Sequence, residues 1–421
     1  MSAAAARLGQ VASHLGGDKA PRTQVGVKSG DDVVIVQALR TPITRARKGG
    51  FKDTTSEYLL GNILKGVMER SKLDPALVDD ICVGNVCPPG GGATIARMAA
   101  LYAGFPNTTS VQTVNRQCSS GLQAVVHIAH AIQSGMIDIG IGAGVESMTH
   151  FYGPKHKMVP DVMSEDVLAA PEVADCLIPM GFTSENVAQD FSIPRAKQDA
   201  FAALSHQRAE NAQKEGLFDA EIYPIKTKVI DKDGNETEVV VARDDGIRPG
   251  TTAESLSKLR PAFSADGCTT AGNASQVSDG AAAVLLMKRS RAQELGLTIQ
   301  GKLVASAVAG VPPRIMGVGP AYAVPAVLKK AGLTVAQLDV VELNEAFASQ
   351  AVYSIEKLGL DIAKVNPKGG AIALGHPLGC TGARQISTLL TELKRQDKRV
   401  GCATMCIGGG FGMAAILESE H

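Results

Sequence analysis

The feature that most constrains the fold of this chain is a repetition of polar landmarks at an offset of about 259 residues. Each landmark either ends a buried apolar strand or lies in a glycine-rich turn that leads into an apolar helix. Three landmarks in register at one offset predict two copies of one βα unit in a single chain. The three pairs are Asn85 and Asn344, Cys118 and His376, and Ser147 and Cys406, which are 259, 258 and 259 residues apart.

Short apolar runs alternate with helical patterns in both copies, which predicts an α/β fold. Either copy alone would leave an apolar sheet face exposed, so we expect the two halves to pack back to back. Charged residues, proline and histidine increase between 151 and 277, which predicts an insertion in the first copy. The predicted organisation is a segment over 1–30, a first half over 31–150 plus 278–300, an inserted loop domain over 151–277 and a second half over 301–421.

Charge and cysteine usage exclude several classes of protein. The 421 residues carry 42 basic and 42 acidic side chains, so nothing favours nucleic acid or an anionic membrane as a partner. No apolar run reaches the length that a membrane span needs. The eight cysteines are scattered without paired CxxC motifs, which predicts reduced intracellular thiols rather than a disulfide scaffold or a zinc site.

One cysteine is a candidate nucleophile. Cys118 comes directly before an apolar helix that extends to Ile132. A thiol at a helix N-terminus faces unpaired N–H groups and the positive end of the helix dipole, which favour the thiolate. Free cysteines are also often buried for packing alone, and this stretch by itself leaves both interpretations open.

Four motifs in order along the chain, NRQCSSG, NEAFA, GHPLGCTGAR and CIGGGFG, resemble those of the thiolases. The resemblance covers the chain from about Asp31 to Glu418. It implies a thiolase fold, which is a five-layer αβαβα sandwich with an inserted loop domain. It also implies cleavage of a 3-ketoacyl-CoA by CoA to acyl-CoA and acetyl-CoA, the last step of fatty-acid β-oxidation. CoA would be a substrate, no metal or organic cofactor is implied, and a homodimer is expected from the family.

The resemblance assigns a role to each catalytic candidate. Cys118 would hold the acyl group as a thioester, and His376 would accept the proton of its thiol. Asn344, through a water, and His376 would form one oxyanion hole, while the backbone N–H groups of Cys118 and Gly408 would form the other. Cys406 would supply a proton to the enolate of the departing acetyl-CoA.

The CoA site depends mostly on the same resemblance, because the sequence has no short phosphate-binding signature that suits CoA. Arg248 in DDGIRP would lie against the adenine, and Ser275 in TAGNASQVSDGAA would bond the pantetheine arm. Both lie in or beside the insertion, which would make the inserted domain a lid over CoA.

Three alternative functions stay open. The condensing ketoacyl synthases share the fold, but they pair their cysteine with two histidines or with a histidine and an asparagine, and the second cysteine, Cys406, argues against them. An acetoacetyl-CoA thiolase and a non-catalytic lipid-binding relative are the other two. The sequence does not predict the acyl-chain length, which depends on the course of the loop over residues 151–176.

The N-terminal segment carries an Arg-Leu pair at Arg7, followed five residues after Leu8 by a His-Leu pair at His14. This pattern matches the nonapeptide that a peroxisomal import receptor reads, and it predicts a peroxisomal protein. The alternative is a mitochondrial presequence, because basic residues outnumber acidic ones in this segment.

Overall fold

The computed structural model describes residues 23–156, 158–159 and 161–421. The pattern that contains Arg7 and His14 lies outside the described residues. Across the described ranges, no helix is long and apolar enough to cross a membrane. All eight cysteines fall within these ranges, and each is a free thiol.

The strands alternate with helices along most of the chain. They are β1 (Val33–Arg40), β2 (Thr44–Arg45), β3 (Asp80–Gly84), β4 (Ser110–Val114), β5 (Ile139–Ser147), β6 (Ile225–Ile230), β7 (Glu236–Val241), β8 (Ser278–Lys288), β9 (Gly301–Gly310), β10 (Val340–Leu343), β11 (Val400–Ile407) and β12 (Phe411–Ser419).

The α-helices are α1 (Ser56–Ser71), α2 (Ala93–Tyr102), α3 (Ser120–Gln133), α4 (Met148–Phe151), α5 (Glu165–Leu168), α6 (Met180–Asp190), α7 (Arg195–Lys214), α8 (Ala253–Ser257), α9 (Arg289–Glu294), α10 (Gly319–Ala331), α11 (Ala348–Leu358), α12 (Ala371–Leu374) and α13 (Leu378–Arg395). Short 3₁₀ turns lie at Pro75–Leu77, Pro89–Gly92, Ala174–Leu177, Pro313–Val318, Val335–Gln337 and Ile362–Lys364.

The two halves arrange their strands in the same order. The first half runs β4-β3-β5-β8-β1, and the second runs β10-β11-β12-β9 outward from its parallel pair. In the second half a parallel bridge between Val341 and Val365 takes the place of β4. The halves join where β1 pairs with β9 at two positions, Val34 with Lys302 and Ile35 with Gly301.

Alternate residues of one strand face different cores, which produces the layers. Val33 and Ile35 of β1 face a central core that contains helices α3 and α13. Val34 and Val36 face an outer core that contains α1 and α2, and a matching outer core covers the second half with α10 and α11. The layers are therefore outer helices, one sheet half, the central helices, the other sheet half and outer helices. These five layers confirm the predicted α/β thiolase fold. The boundaries of the four predicted segments stay a prediction.

Buried ion pairs tie the region between 151 and 277 to both halves. The guanidinium of Arg40 donates to Glu221 at 2.7 Å and to Asp244 at 2.7 Å, and Lys368 donates to Glu221 at 2.6 Å. All four side chains are almost fully buried. Since removing one partner would leave a buried unpaired charge, this network fixes the inserted region in place.

Candidate active site

Helices α3 and α13 meet at their N-termini because both carry glycines there. A Cβ added to Gly121 would lie 2.6 Å from the carbonyl oxygen of Gly379, and one added to Gly382 would lie 2.2 Å from the backbone nitrogen of Leu122. No larger side chain fits between the two backbones. This contact brings the loops before the two helices, which carry Cys118 and His376, to one place.

Cys118 lies in the turn that follows β4. Gln117 adopts a left-handed backbone conformation with φ of 47°, and its N–H donates to the side chain of Asn115 at 2.9 Å. The Cys118 thiol is 2% exposed and packs with Met148 and Leu378. The turn therefore presents the thiol inside a small apolar cluster at the start of α3.

Gly408 contributes a backbone donor to that thiol. It follows β11, and a Cβ added to it would lie 3.8 Å from the side chain of Gln117. The backbone N–H groups of Gly408 and of Cys118 itself lie near the Cys118 sulfur, where they lower the pKa of the thiol. The two groups predicted to form one oxyanion hole are therefore close to the same atom.

The resting Cys118 is a neutral thiol, although its backbone surroundings favour the thiolate. The two N–H groups lower the pKa of Cys118, as the sequence predicts, but burial outweighs them and raises it to about 11. A base is therefore needed to activate the thiol at neutral pH.

His376 is the candidate for that base. Burial, together with the nearby Arg384 guanidinium, lowers the pKa of His376 to about 3, so its imidazole is neutral. Its Nε2 lies 3.3 Å from Asn344 Nδ2, and its Nδ1 lies 2.6 Å from Thr381 Oγ1. Gly375 before it has φ of 110°, and a Cβ there would lie 2.1 Å from Ser278 Oγ, so glycine is required at this turn.

Cys406 lies at the end of β11, close enough to Cys118 for the two thiols to influence each other. Met180 packs against the apolar cluster of each cysteine. Burial raises the pKa of Cys406 strongly, and the neighbouring Cys118 raises it further. Cys406 therefore keeps its proton at neutral pH and is available as an acid.

Ser275 lies beside these groups, while Arg248 lies on an adjoining exposed loop. The N–H of Ser275 donates to the carbonyl of Ala346 at 3.0 Å, two residues beyond Asn344. The N–H of Arg248 donates to His206 Nδ1 at 3.3 Å, and its side chain is exposed.

Sequence reasoning missed Gln276, which joins these segments. Its side chain donates to the carbonyl of Gly246 at 2.7 Å, two residues before Arg248. Its own carbonyl accepts the N–H of His376 at 3.0 Å. Gln276 directly follows Ser275, but the sequence carries no signal that it reaches the loop of Arg248.

Glu146 was also missed. It lies at the end of β5, and its carboxylate accepts the N–H of Cys87 at 3.1 Å and the N–H of Gly379 at 2.9 Å. Burial raises the pKa of Glu146 to about 7. This side chain anchors the first turn of α13 to the loop after β3, on the side of the site where Cys118 lies.

Comparison with known proteins gives consistent results over most of the chain. The family described as "Thiolase, N-terminal domain" matches residues 33–290, and "Thiolase, C-terminal domain" matches residues 297–419. The peroxisomal 3-ketoacyl-CoA thiolase B of Rattus norvegicus is 58% identical over 391 residues, which cover 93% of this chain and 91% of the rat protein.

Two solved structures agree with the fold. The dimeric peroxisomal thiolase of Saccharomyces cerevisiae has a TM-score of 0.86 and 51% identity, with coverage of 94% of this chain and 99% of that chain. A second structure of the yeast peroxisomal 3-ketoacyl-CoA thiolase is described as a five-layered α-β-α-β-α structure built from two core domains of identical topology. It has a TM-score of 0.78 and 45% identity, with coverage of 94% of this chain and 100% of that chain.

Proposed function

The chain belongs to the thiolase family, and from that premise we propose that it cleaves a 3-ketoacyl-CoA with CoA through an acyl thioester on Cys118. The products are acetyl-CoA and an acyl-CoA shortened by two carbons, as in the last step of fatty-acid β-oxidation. The observation that carries this proposal is the convergence of four distant motifs on one buried site. A nucleophilic thiol, a neutral imidazole, an acidic thiol and backbone donors are the groups that this reaction needs.

In the first half-reaction, His376 takes the Cys118 proton as the sulfur attacks the 3-keto carbon. The resulting alkoxide lies next to the N–H groups of Cys118 and Gly408, which stabilise it. Collapse of the alkoxide breaks the carbon–carbon bond and leaves the acyl group on Cys118. The departing fragment is the enolate of acetyl-CoA, which His376 and Asn344, through a water, stabilise until Cys406 protonates its carbon.

In the second half-reaction, CoA resolves the acyl thioester. Its thiol gives a proton to the Cys406 thiolate as its sulfur attacks the acyl carbon. The Cys118 sulfur leaves and recovers the proton held by His376, which restores the resting state. Every proton is accounted for by these three side chains, and we propose that CoA takes part as a substrate with no metal or organic cofactor.

Thiolysis of a series of 3-ketoacyl-CoA substrates from four carbons upward is the direct test. We expect kcat/KM for substrates longer than acetoacetyl-CoA to equal or exceed the value for acetoacetyl-CoA. Turnover of acetoacetyl-CoA alone would favour the acetoacetyl-specific alternative, and no turnover of any substrate would favour the non-catalytic one.

We propose that Ser275 and Arg248 contact CoA and that the inserted domain over 151–277 forms the lid of its site. Ser275 lies one residue from Gln276, which connects the loop of Arg248 to the backbone of His376. Such contacts are remote from the breaking bond, so they contribute equally to the ground state and the transition state.

Ser275→Ala should therefore raise KM for CoA by roughly 2- to 10-fold, the equivalent of one hydrogen bond, with kcat largely unchanged. Steady-state kinetics with varied CoA measures both constants. A large fall in kcat at constant KM would place Ser275 in the chemistry instead.

We propose that the protein acts in the peroxisome as a homodimer, in line with its peroxisomal relatives and the dimeric yeast structure. An import receptor would read the N-terminal nonapeptide. A fluorescent fusion of residues 1–30 should enter peroxisomes, and Arg7→Ala combined with His14→Ala should leave it in the cytosol. Import of both fusions into mitochondria would support the presequence alternative.

A further inference from the structure

His376 can serve as a base only if the correct ring nitrogen lacks a proton. A neutral imidazole carries one proton, on either Nδ1 or Nε2, and the hydrogen bond made by one nitrogen fixes the state of the other. Nε2 is the nitrogen on the side of Asn344, whereas Nδ1 points into the start of α13. The state of Nε2 therefore depends on what Nδ1 contacts.

The partner of Nδ1 is Thr381, a buried residue in the first turn of α13. Its Oγ1 lies 2.6 Å from His376 Nδ1 and 3.0 Å from the carbonyl oxygen of Pro377. A hydroxyl has a single proton, and the carbonyl of Pro377 can only accept. If the hydroxyl donates to Pro377, its oxygen lone pair is available to accept a hydrogen bond from Nδ1–H.

The contact on the Nε2 side of the His376 ring also places the proton on Nδ1. The Nδ2 amide of Asn344 is a donor only, and it lies 3.3 Å from Nε2. This bond requires a lone pair on Nε2. The two contacts together describe one continuous chain, from Asn344 through the imidazole and Thr381 to Pro377.

We propose that Thr381 is a positioning residue that holds the proton of His376 on Nδ1 and so keeps Nε2 ready to accept the proton of Cys118. The proposal rests on the assignment of His376 as the base. Thr381 itself does not touch the reacting atoms in this arrangement.

The other neutral tautomer of His376, with its proton on Nε2, is accessible in this site, and the Thr381 hydroxyl is what disfavours it. Asn344 Oδ1 is buried and has no hydrogen-bond partner among the described residues. If the hydroxyl of Thr381 were lost, Nδ1–H would be buried without an acceptor. Rotation of the Asn344 amide would then let Oδ1 accept a hydrogen bond from Nε2–H, and the imidazole would adopt the tautomer in which Nε2 cannot act as a base. The lost bond corresponds to about a ten- to hundredfold change in the tautomer ratio.

Three variants separate this role from a structural one. Thr381→Val keeps the shape of the side chain but has no hydroxyl, whereas Thr381→Ser keeps the hydroxyl. Ser387→Ala is the matched control, because Ser387 is buried in the same helix and its hydroxyl bonds only the carbonyl four residues earlier, at 3.4 Å.

The measurement is ¹⁵N NMR of protein labelled at histidine, with the His376 signals assigned by their loss in His376→Asn. Wild type, Thr381→Ser and Ser387→Ala should show the proton on Nδ1, and Thr381→Val should show it on Nε2. We expect kcat of Thr381→Val to fall about 10- to 100-fold while KM for CoA is kept. The serine variant should restore most of the rate.

A wild-type His376 with its proton on Nε2 would overturn the proposal, whether or not Thr381→Val folds. An unchanged tautomer in folded Thr381→Val would overturn it as well. The NMR readout does not depend on turnover, so failure of the proposed function would appear separately, as a wild-type protein with the expected tautomer and no thiolysis.

Discussion

Cys118→Ala should abolish acylation of the protein and lower turnover of 3-ketoacyl-CoA by roughly 10⁴-fold or more, because it removes the nucleophile. The structure gives a specific reason for this selectivity. Burial raises the pKa of Cys118 to about 11, so a low pKa does not mark it as the nucleophile. What marks it is the pair of N–H groups, from Gly408 and from Cys118 itself, that lie near its sulfur and would stabilise an oxyanion formed there.

The measurement is incubation with labelled acyl-CoA followed by peptide mapping, with Cys380→Ala as the matched control. Cys380 is fully buried in α13, and burial raises the pKa of its thiol to about 12. The control protein should still carry one acyl group per chain, on Cys118. Label on Cys380 or Cys402 would show that the nucleophile had been assigned to the wrong cysteine.

The sequence predicted the layers because the buried strands of both halves are short apolar runs at a common offset. It predicted no strand over Ser110–Val114, because that segment is polar and only partly buried at the edge of the sheet. The pairing of β1 with β9, which connects the two halves, could not be predicted from the sequence either. Two pairs of residues form it, and no local pattern marks which strand edges will meet.

Within the site, too, local patterns were predictable and tertiary contacts were not. The motifs predicted which residues would meet, since Cys118, His376, Asn344 and Cys406 each end or follow a strongly patterned element. The roles of Thr381 and Gln276 depend on which atoms lie opposite them in the folded chain, and a single sequence does not contain that information. The net shift in the pKa of Cys118 could not be predicted for a related reason. The helix N-terminus is visible in the sequence, whereas the burial that outweighs it is a tertiary property.

Cys406→Ala should separate the two chemical events of the reaction. Acylation from acyl-CoA needs Cys118, His376 and backbone donors, all of which remain in the variant. CoA can leave as its thiolate without the proton that Cys406 would otherwise give it, because a thiol has an ordinary pKa of about 8.5. Cleavage of the carbon–carbon bond also needs a proton for the α-carbon of acetyl-CoA. Since burial keeps the Cys406 thiol protonated, its removal should lower thiolysis by about 10²–10⁴-fold, the usual contribution of a general acid.

Two assays on the same variant measure this separation. Transfer of a labelled acyl group from acyl-CoA should still place one acyl group per chain on Cys118. Exchange of the α-protons of acetyl-CoA with deuterated water should fall together with thiolysis. Cys402→Ala is the matched control, because Cys402 lies on the same strand, β11, and is also fully buried with a pKa raised to about 12.

The outcome also decides between the two groups that could supply the proton. Once His376 has taken the proton of Cys118 it becomes an acid, and it lies next to Asn344, where we place the enolate. If Cys406→Ala exchanged α-protons at the wild-type rate, His376 would be the acid and Cys406 a packing residue beside Met180. If acylation of Cys118 were lost as well, the substitution would have disturbed the shared cluster around Met180 rather than removed an acid. Retained acylation with lost exchange is the one result that assigns the proton to Cys406.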